Sequence, residues 1–210
     1  MTHSLHRRGT IENLKDDYVV LVTPAVGINH HDSKEKLKKI LDKIFELGPN
    51  NIGSYETGTI YSGATIEQIK EQLSETPRVR CCFDDREKVR ELVKYIKESG
   101  CGLSVTLSGL IDDVKGMASE LDITPHSINL SLGSFGKTDK LPDYGVLEFV
   151  TMCGHGMISG NLVEKLIDDV KKGKKSIKKA AELIAQPCVC GIFNTKRAEQ
   201  LLQKYIDNKL

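Results

Sequence analysis

Short apolar, β-branched runs alternate with helical patterns through the first two thirds of the chain. The run at residues 18–22 is apolar throughout, as in a strand buried on both faces. Further strands are predicted at residues 79–83, 103–107, 127–132 and 146–151, with amphipathic helices between most of them. This alternation is typical of an α/β protein. We therefore expect a mixed or mostly parallel sheet covered by helices, followed by a helical C-terminal segment.

The 210 residues are enough for one good-sized core. We expect a polar N-terminal tail at residues 1–17 and an α/β sheet core at 18–151. Residues 152–210 would form a helical part within the same compact domain. The tail carries His3, His6, Arg7 and Arg8, which would clasp an anionic ligand if the tail folded back and would otherwise be solvated.

Composition argues against several classes of partner. The formal charge is only +1, tryptophan is absent and aromatic residues make up 5% of the chain, so a nucleic-acid partner is not expected. No apolar run approaches the ~18 residues that span a bilayer, and no apolar segment follows the charged N-terminus. A cytoplasmic location is therefore expected, with no membrane partner. Its reducing conditions would keep the six cysteines as thiols, and Cys81, Cys82 and Cys101 are interpreted as small apolar residues near predicted strands.

A short pattern occurs twice near the C-terminus, at an offset of 35 residues. Cys153-Gly154-His155-Gly156 corresponds to Cys188-Val189-Cys190-Gly191. Each copy continues with two apolar residues, a helix-capping residue (Ser159 or Asn194) and an amphipathic helix. The sequence therefore predicts two equivalent loops that each present a pair of soft ligands at a helix start.

The duplicated pattern indicates metal binding. Cys153, His155, Cys188 and Cys190 together supply three thiolates and an imidazole, a set suited to tetrahedral zinc. Alternatively, the three cysteines would hold three irons of an iron–sulfur cluster and leave the fourth iron open. Both metals favour thiolates, so zinc and an iron–sulfur cluster both stay open here.

A second interpretation is thiolate chemistry without a metal, in an isomerase or transferase. A cysteine at a helix start has a lowered pKa, which suits a base or nucleophile at Cys153, assisted by His155. Residues 152–156 resemble the Met-Cys-Gly-His-Gly signature of proline racemases, which implies a cofactor-independent reaction with Cys153 as the base. The resemblance covers five residues, and the context of Cys188 departs from that family's second cysteine. A third interpretation is a non-enzymatic binding or accessory protein whose metal only fixes the C-terminal helices.

Three further residues are candidate contacts for a small-molecule substrate. His30 and His31 lie in the loop after the first predicted strand, where α/β proteins often place ligands. Lys137 ends a glycine-containing loop, residues 133–137. That loop lacks the glycine spacing and following helix of a phosphate-binding P-loop, so Lys137 is interpreted as an anion contact in a flexible loop.

Overall fold

The computed structural model describes residues 6–54, 56–74 and 77–207. The strands are β1 (Tyr18–Thr23), β2 (Asn51–Ser54), β3 (Gly58–Thr59), β4 (Val79–Phe83) and β5 (Ser104–Ser108). The helices are α1 (Ile11–Leu14), α2 (Ser33–Leu47), α3 (Ile66–Glu71), α4 (Arg86–Glu98), α5 (Ile111–Glu120), α6 (Tyr144–Cys153), α7 (Gly160–Lys171), α8 (Ile177–Ala185) and α9 (Thr195–Ile206). The chain is thus a mixed α/β protein, as predicted. His3 lies outside the described residues.

The expectation of a parallel or mixed sheet is wrong, because every neighbouring pair of strands is antiparallel. The strand order is β3-β2-β4-β1-β5. The crossover β1-α2-β2 joins two strands that run in the same direction, with β4 between them in the sheet. The crossover β4-α4-β5 also joins two strands of the same direction, with β1 between them. This interleaving is the split βαβ arrangement. The alternation of strands and helices along the sequence predicts the two crossovers. It does not predict that another strand lies between the two strands that each crossover joins.

Two helical layers cover the sheet. Val20 and Val22 of β1 pack with the inward residues of α2 and α4, whereas Val19 contacts the helices α6 to α9. Cys82, the pairing partner of Val19, lies on the same face, and Cys81 lies on the other. Because both faces are covered, β1 is apolar at successive positions rather than at alternate ones.

Two predicted strands are absent from the described part of the chain. Residues 146–151 belong to α6, where Val146, Phe149 and Cys153 are buried at helical spacing. A short apolar β-branched run inside a buried helix has the same local pattern as a buried strand. Residues 127–132 have no regular structure and are exposed to solvent. Among the described residues, no helix combines the length and apolarity needed to cross a membrane.

Candidate functional site

The two copies of the duplicated pattern have matching backbone structure. Helices α7 and α9 begin and end at positions 35 residues apart. Their caps also correspond: the Ser159 side chain accepts from the backbone N–H of Leu162, and the Asn194 side chain accepts from that of Arg197. The two copies therefore share their capping hydrogen bonds as well as their sequence pattern.

The glycines before these caps set the loop geometry. Gly156 and Gly191 occupy equivalent positions with φ of +70° and +74°. Gly154, with φ of +66°, ends α6 directly after Cys153. Left-handed backbone of this kind favours glycine because it carries no Cβ. It allows each loop to turn sharply between its cysteines and the next helix.

The structure brings the four predicted ligands into one cluster. Sγ of Cys188 lies 3.9 Å from Sγ of Cys190, and Sγ of Cys190 lies 3.6 Å from Nδ1 of His155. Cys153 also exchanges a hydrogen bond with Cys188. Within residues 6–54, 56–74 and 77–207, no group of three or more His, Cys, Asp or Glu side chains is arranged to hold a metal ion. The cluster therefore consists of adjoining pairs of side chains.

The cluster is buried on the cysteine side and open on the histidine side. Cys153, Cys188 and Cys190 are at most 1% exposed. His155, Gly156 and Met157 form an exposed loop above them. Bulk solvent and large substrates therefore do not reach the sulfurs, whereas the loop lies at the surface.

Hydrogen bonding divides the thiols into two kinds. A bond from the Cys188 thiol lowers the pKa of Cys153 to about 6, and N–H groups of Met157 and His155 assist. A second bond from Cys188, with the N–H of Ile192, lowers the pKa of Cys190 to about 6. The pKa of Cys188 itself is raised, because its proton bonds to these two neighbours. The Met157 and Ile192 amides are 35 residues apart, so the repeat supplies equivalent donors.

The expectation that Cys153 and Cys188 lie at helix starts, where the helix dipole would lower their pKa, is wrong. Cys153 is the last residue of α6, the helix end that disfavours an anion, and both cysteines lie six residues before the next helix cap. Local N–H and S–H donors stabilise the thiolates instead. The repeat correctly predicts that a helix follows each loop. The caps of these two helices are Ser159 and Asn194, not the cysteines.

Arg7 lies beside this cluster and connects its two loops. Its guanidinium donates to the carbonyl oxygens of Met152, at 3.0 Å, and Ile192, and pairs with Asp17. Burial alone would lower the pKa of Arg7, but Asp17, Cys82 and Cys188 reverse the effect, so the pKa is raised and the side chain is charged. The charged residues of the N-terminal tail predict that it clasps an anionic ligand if it folds back. In the structure, Arg7 of this tail instead binds the carboxylate of Asp17 and the carbonyl oxygens of Met152 and Ile192.

A buried ion pair extends behind Arg7. The guanidinium of Arg197 donates to Asp17 at 2.9 Å, and both side chains are 0% exposed. Arg197 occupies the position equivalent to Leu162 in the repeat, on the inward side of α9. Sequence reasoning missed this network. The signal in the sequence is that Arg197 stands where the other copy of the repeat has the apolar Leu162. An arginine at such an inward position predicts a buried acidic partner.

The other candidate contacts lie apart from the cysteine cluster. His30 and His31 follow β1, whereas Asp17 precedes it, and the six-residue strand between them is about 20 Å long. His30 accepts from the backbone N–H of Gly27 through Nδ1. Lys137 is exposed next to the 3₁₀ turn Thr138–Lys140. Within the part of the chain that the structure describes, no hydrogen bond or ion pair joins the histidine pair or Lys137 to Cys153, Cys188 or Cys190.

Comparison with known proteins yields no relative. No protein-family model matches the chain, and neither the curated proteins nor the solved structures contain a significant match.

Proposed function

We propose that the chain binds one zinc ion through Cys153, Cys188, Cys190 and Nδ1 of His155. The described residues hold these side chains as adjoining pairs, so the four would draw together when the ion binds. The observation that carries the proposal is the spacing of the paired atoms. With Zn–S bonds of about 2.3 Å and a Zn–N bond of about 2.0 Å, a tetrahedral site has S–S edges of about 3.8 Å and S–N edges of about 3.5 Å. The distances of 3.9 Å and 3.6 Å are close to these edges.

The surroundings of the sulfurs support a metal. Two of the three thiols have a pKa of about 6, so they are largely deprotonated at neutral pH, as metal ligands must be. Three thiolates and one zinc ion carry a net charge of −1, and the guanidinium of Arg7 supplies a compensating positive charge beside Cys188.

Zinc accounts for the spacing better than an iron–sulfur cluster does. In a cubane cluster each cysteine binds a different iron, so the cysteine sulfurs stand farther apart than sulfurs that share one ion. The 3.9 Å between the sulfurs of Cys188 and Cys190, which is the length of their hydrogen bond, is also compatible with two ligands on a single ion. Four protein ligands also leave no open position, which is typical of structural zinc. The proposed role is to fasten the loop between α6 and α7 to the loop between α8 and α9.

Metal analysis of the purified full chain tests the proposal. We expect one zinc per chain, and visible bands of tetrahedral cobalt–thiolate after replacement of zinc by Co²⁺. Cys188→Ser should lose both signals. Cys101→Ser is the matched control, because Cys101 is a free, partly buried cysteine outside the cluster. Iron with sulfide in the wild type, or equal metal content in the two variants, would contradict the proposal.

A second candidate is thiol chemistry at Cys153, which its lowered pKa favours. The 0% exposure of Cys153 restricts it to small reagents that pass the exposed His155 loop. In metal-free protein, faster alkylation of Cys153 than of the more exposed Cys101 would support this candidate. Protection of Cys153 by added zinc would show that the two functions share the same atoms.

A further inference from the structure

The two edges of the sheet differ in how they are protected. β3 forms one edge and has only two residues, whereas β5 forms the other and has five. Edge strands are commonly short, or carry charges or proline, because their outer N–H and C=O groups otherwise pair with another chain. The sequence of β5 is Ser-Val-Thr-Leu-Ser, with neither charge nor proline. Within the described residues it pairs only with β1, so its outer edge is open to a further strand.

Residues 127–132, which we call the outer segment, have the alternation of a strand but do not pair. Their apolar side chains, Ile128, Leu130 and Leu132, alternate with polar ones and are 50%, 67% and 88% exposed. No hydrogen bond between backbone groups joins the outer segment to any residue that the structure describes. The segment also contains no charge and no proline. It therefore offers apolar side chains and backbone groups to a neighbouring strand.

A cavity of about 880 Å³ is bordered by β5 and by residues 127–131 of the outer segment. In a sheet, a five-residue strand takes up roughly 800 Å³, given about 4.8 Å between strands, about 10 Å between layers and about 3.4 Å per residue. The cavity thus has room for one strand of the length of β5. Ile96 of α4 and Met117 of α5 also line it, so the apolar side of such a strand would contact these helices.

A second copy of the chain supplies a strand that fits this cavity. If the outer segments of two copies lie side by side about a two-fold axis, each can also lie next to β5 of the other copy. The sheet then continues from β5 through the partner copy's outer segment and the chain's own outer segment to the partner copy's β5. Closure of a single copy's own segment onto β5 would leave a new unpaired edge, whereas the two-fold arrangement leaves none. The formal charge of the chain is only +1, so two copies do not repel strongly.

We propose that the chain forms a two-fold symmetric dimer in which each outer segment becomes a strand in the other copy's cavity, next to β5. Backbone groups of β5 and of both outer segments supply the hydrogen bonds, as when a peptide strand adds to a sheet edge. Burial of Ile128 and Leu130 from each copy supplies the hydrophobic contribution. The dimer thus pairs the two unpaired edges that face this cavity.

Sedimentation velocity of the full chain over a range of concentrations tests this. We expect a dimer that forms equally with zinc and with chelator, because none of the four proposed zinc ligands lines the cavity. Amide hydrogen exchange in residues 104–108 and 127–132 should be slower in the dimer than in the dilute monomer. A chain that stays monomeric, or a dimer in which residues 127–132 exchange as fast as in the monomer, would overturn the proposal. So would protection of these residues in a monomer, which would assign the edge to the chain's own segment.

Two isoleucines supply matched variants. Ile128 lines the cavity, whereas Ile66 begins α3, which follows the opposite edge strand β3, and the two side chains are 50% and 40% exposed. The dimer buries two copies of Ile128, and each should contribute about tenfold to affinity, so Ile128→Lys should weaken dimerisation about a hundredfold. Ile66→Lys should leave it unchanged. Both positions are exposed, so each variant should keep the circular dichroism spectrum of the wild type. Equal weakening in the two variants, or unchanged dimerisation of Ile128→Lys, would refute a dimer formed at this edge.

Discussion

Replacement of Gly191 by alanine tests whether the second loop of the repeat depends on close contact with the sheet. A Cβ at Gly191 would lie 2.2 Å from the backbone nitrogen of Gly53 and 2.4 Å from the carbonyl carbon of Ile52, both in β2. At Gly156, the equivalent position in the first loop, no atom of the described residues lies within 4 Å of such a Cβ. Since both glycines have positive φ, the pair separates backbone strain from steric contact.

The expected magnitudes follow from these distances. Each alanine should cost about 1 kcal/mol for its left-handed conformation. Only Gly191→Ala must also move its loop by roughly 1 Å from a backbone that cannot rotate away, which adds about 2–3 kcal/mol of overpacking. We expect losses in the free energy of unfolding of about 3–4 kcal/mol for Gly191→Ala and about 1 kcal/mol for Gly156→Ala.

Urea unfolding followed by circular dichroism measures both losses, with chelator present so that metal does not contribute. The slope of the transition should stay constant, so that a shifted midpoint reports stability alone. Equal losses in the two variants would refute the reasoning, because strain alone would then explain both.

Three further predictions concern buried polar groups. Asn194→Ala should cost more than Ser159→Ala, about 3 against about 1 kcal/mol by urea unfolding, since the Asn194 cap also binds buried partners and the Ser159 cap is exposed. Arg197→Met should cost about 3–5 kcal/mol in the same assay, because it removes a fully buried partner of Asp17. Burial and a hydrogen bond to a carboxylate raise the pKa of Tyr18. Folded protein therefore holds that proton above pH of about 10, where the unfolded chain loses it, so stability should fall with rising pH there. Tyr18→Phe should flatten this decline in thermal melts, and an unchanged decline would assign it to other groups.

Local signals predicted the elements that have clear ends. The spacing of Thr65 and Gln68 in the sequence predicts a capping box, and the structure forms it with both reciprocal bonds. The spacing of Asp84 and Glu87 likewise predicts a cap at Asp84, but the cap is the next residue, Asp85, whose side chain accepts from the backbone N–H groups of Glu87 and Lys88. Local chemistry fixes a helix start to within a residue because the capping bonds join neighbours in the chain.

Nonlocal features were not predictable in the same way. The direction of neighbouring strands depends on how two crossovers interleave, and no single crossover encodes that. Residues 127–132 alternate like a strand, yet they do not pair with β5 and remain exposed. An alternating pattern forms a strand only when it pairs with the edge of a sheet. In this structure a cavity lies beside β5, the edge strand in question.

The candidate cluster was predictable because the repeat placed its ligands, but the inequality of the two loops was not. The second loop is fixed to the sheet: the carbonyl of Phe193 accepts from Asn51 at 3.1 Å, and Asn194 bonds to Asn50 at 2.9 Å. The first loop leaves His155 and Met157 exposed. Cys188 and Cys190 therefore belong to a rigid half of the cluster and His155 to its surface half. If the proposed zinc ion binds, we expect it to engage Cys188 and Cys190 before His155, because the second loop is bonded to Asn50 and Asn51 whereas the loop of His155 is exposed.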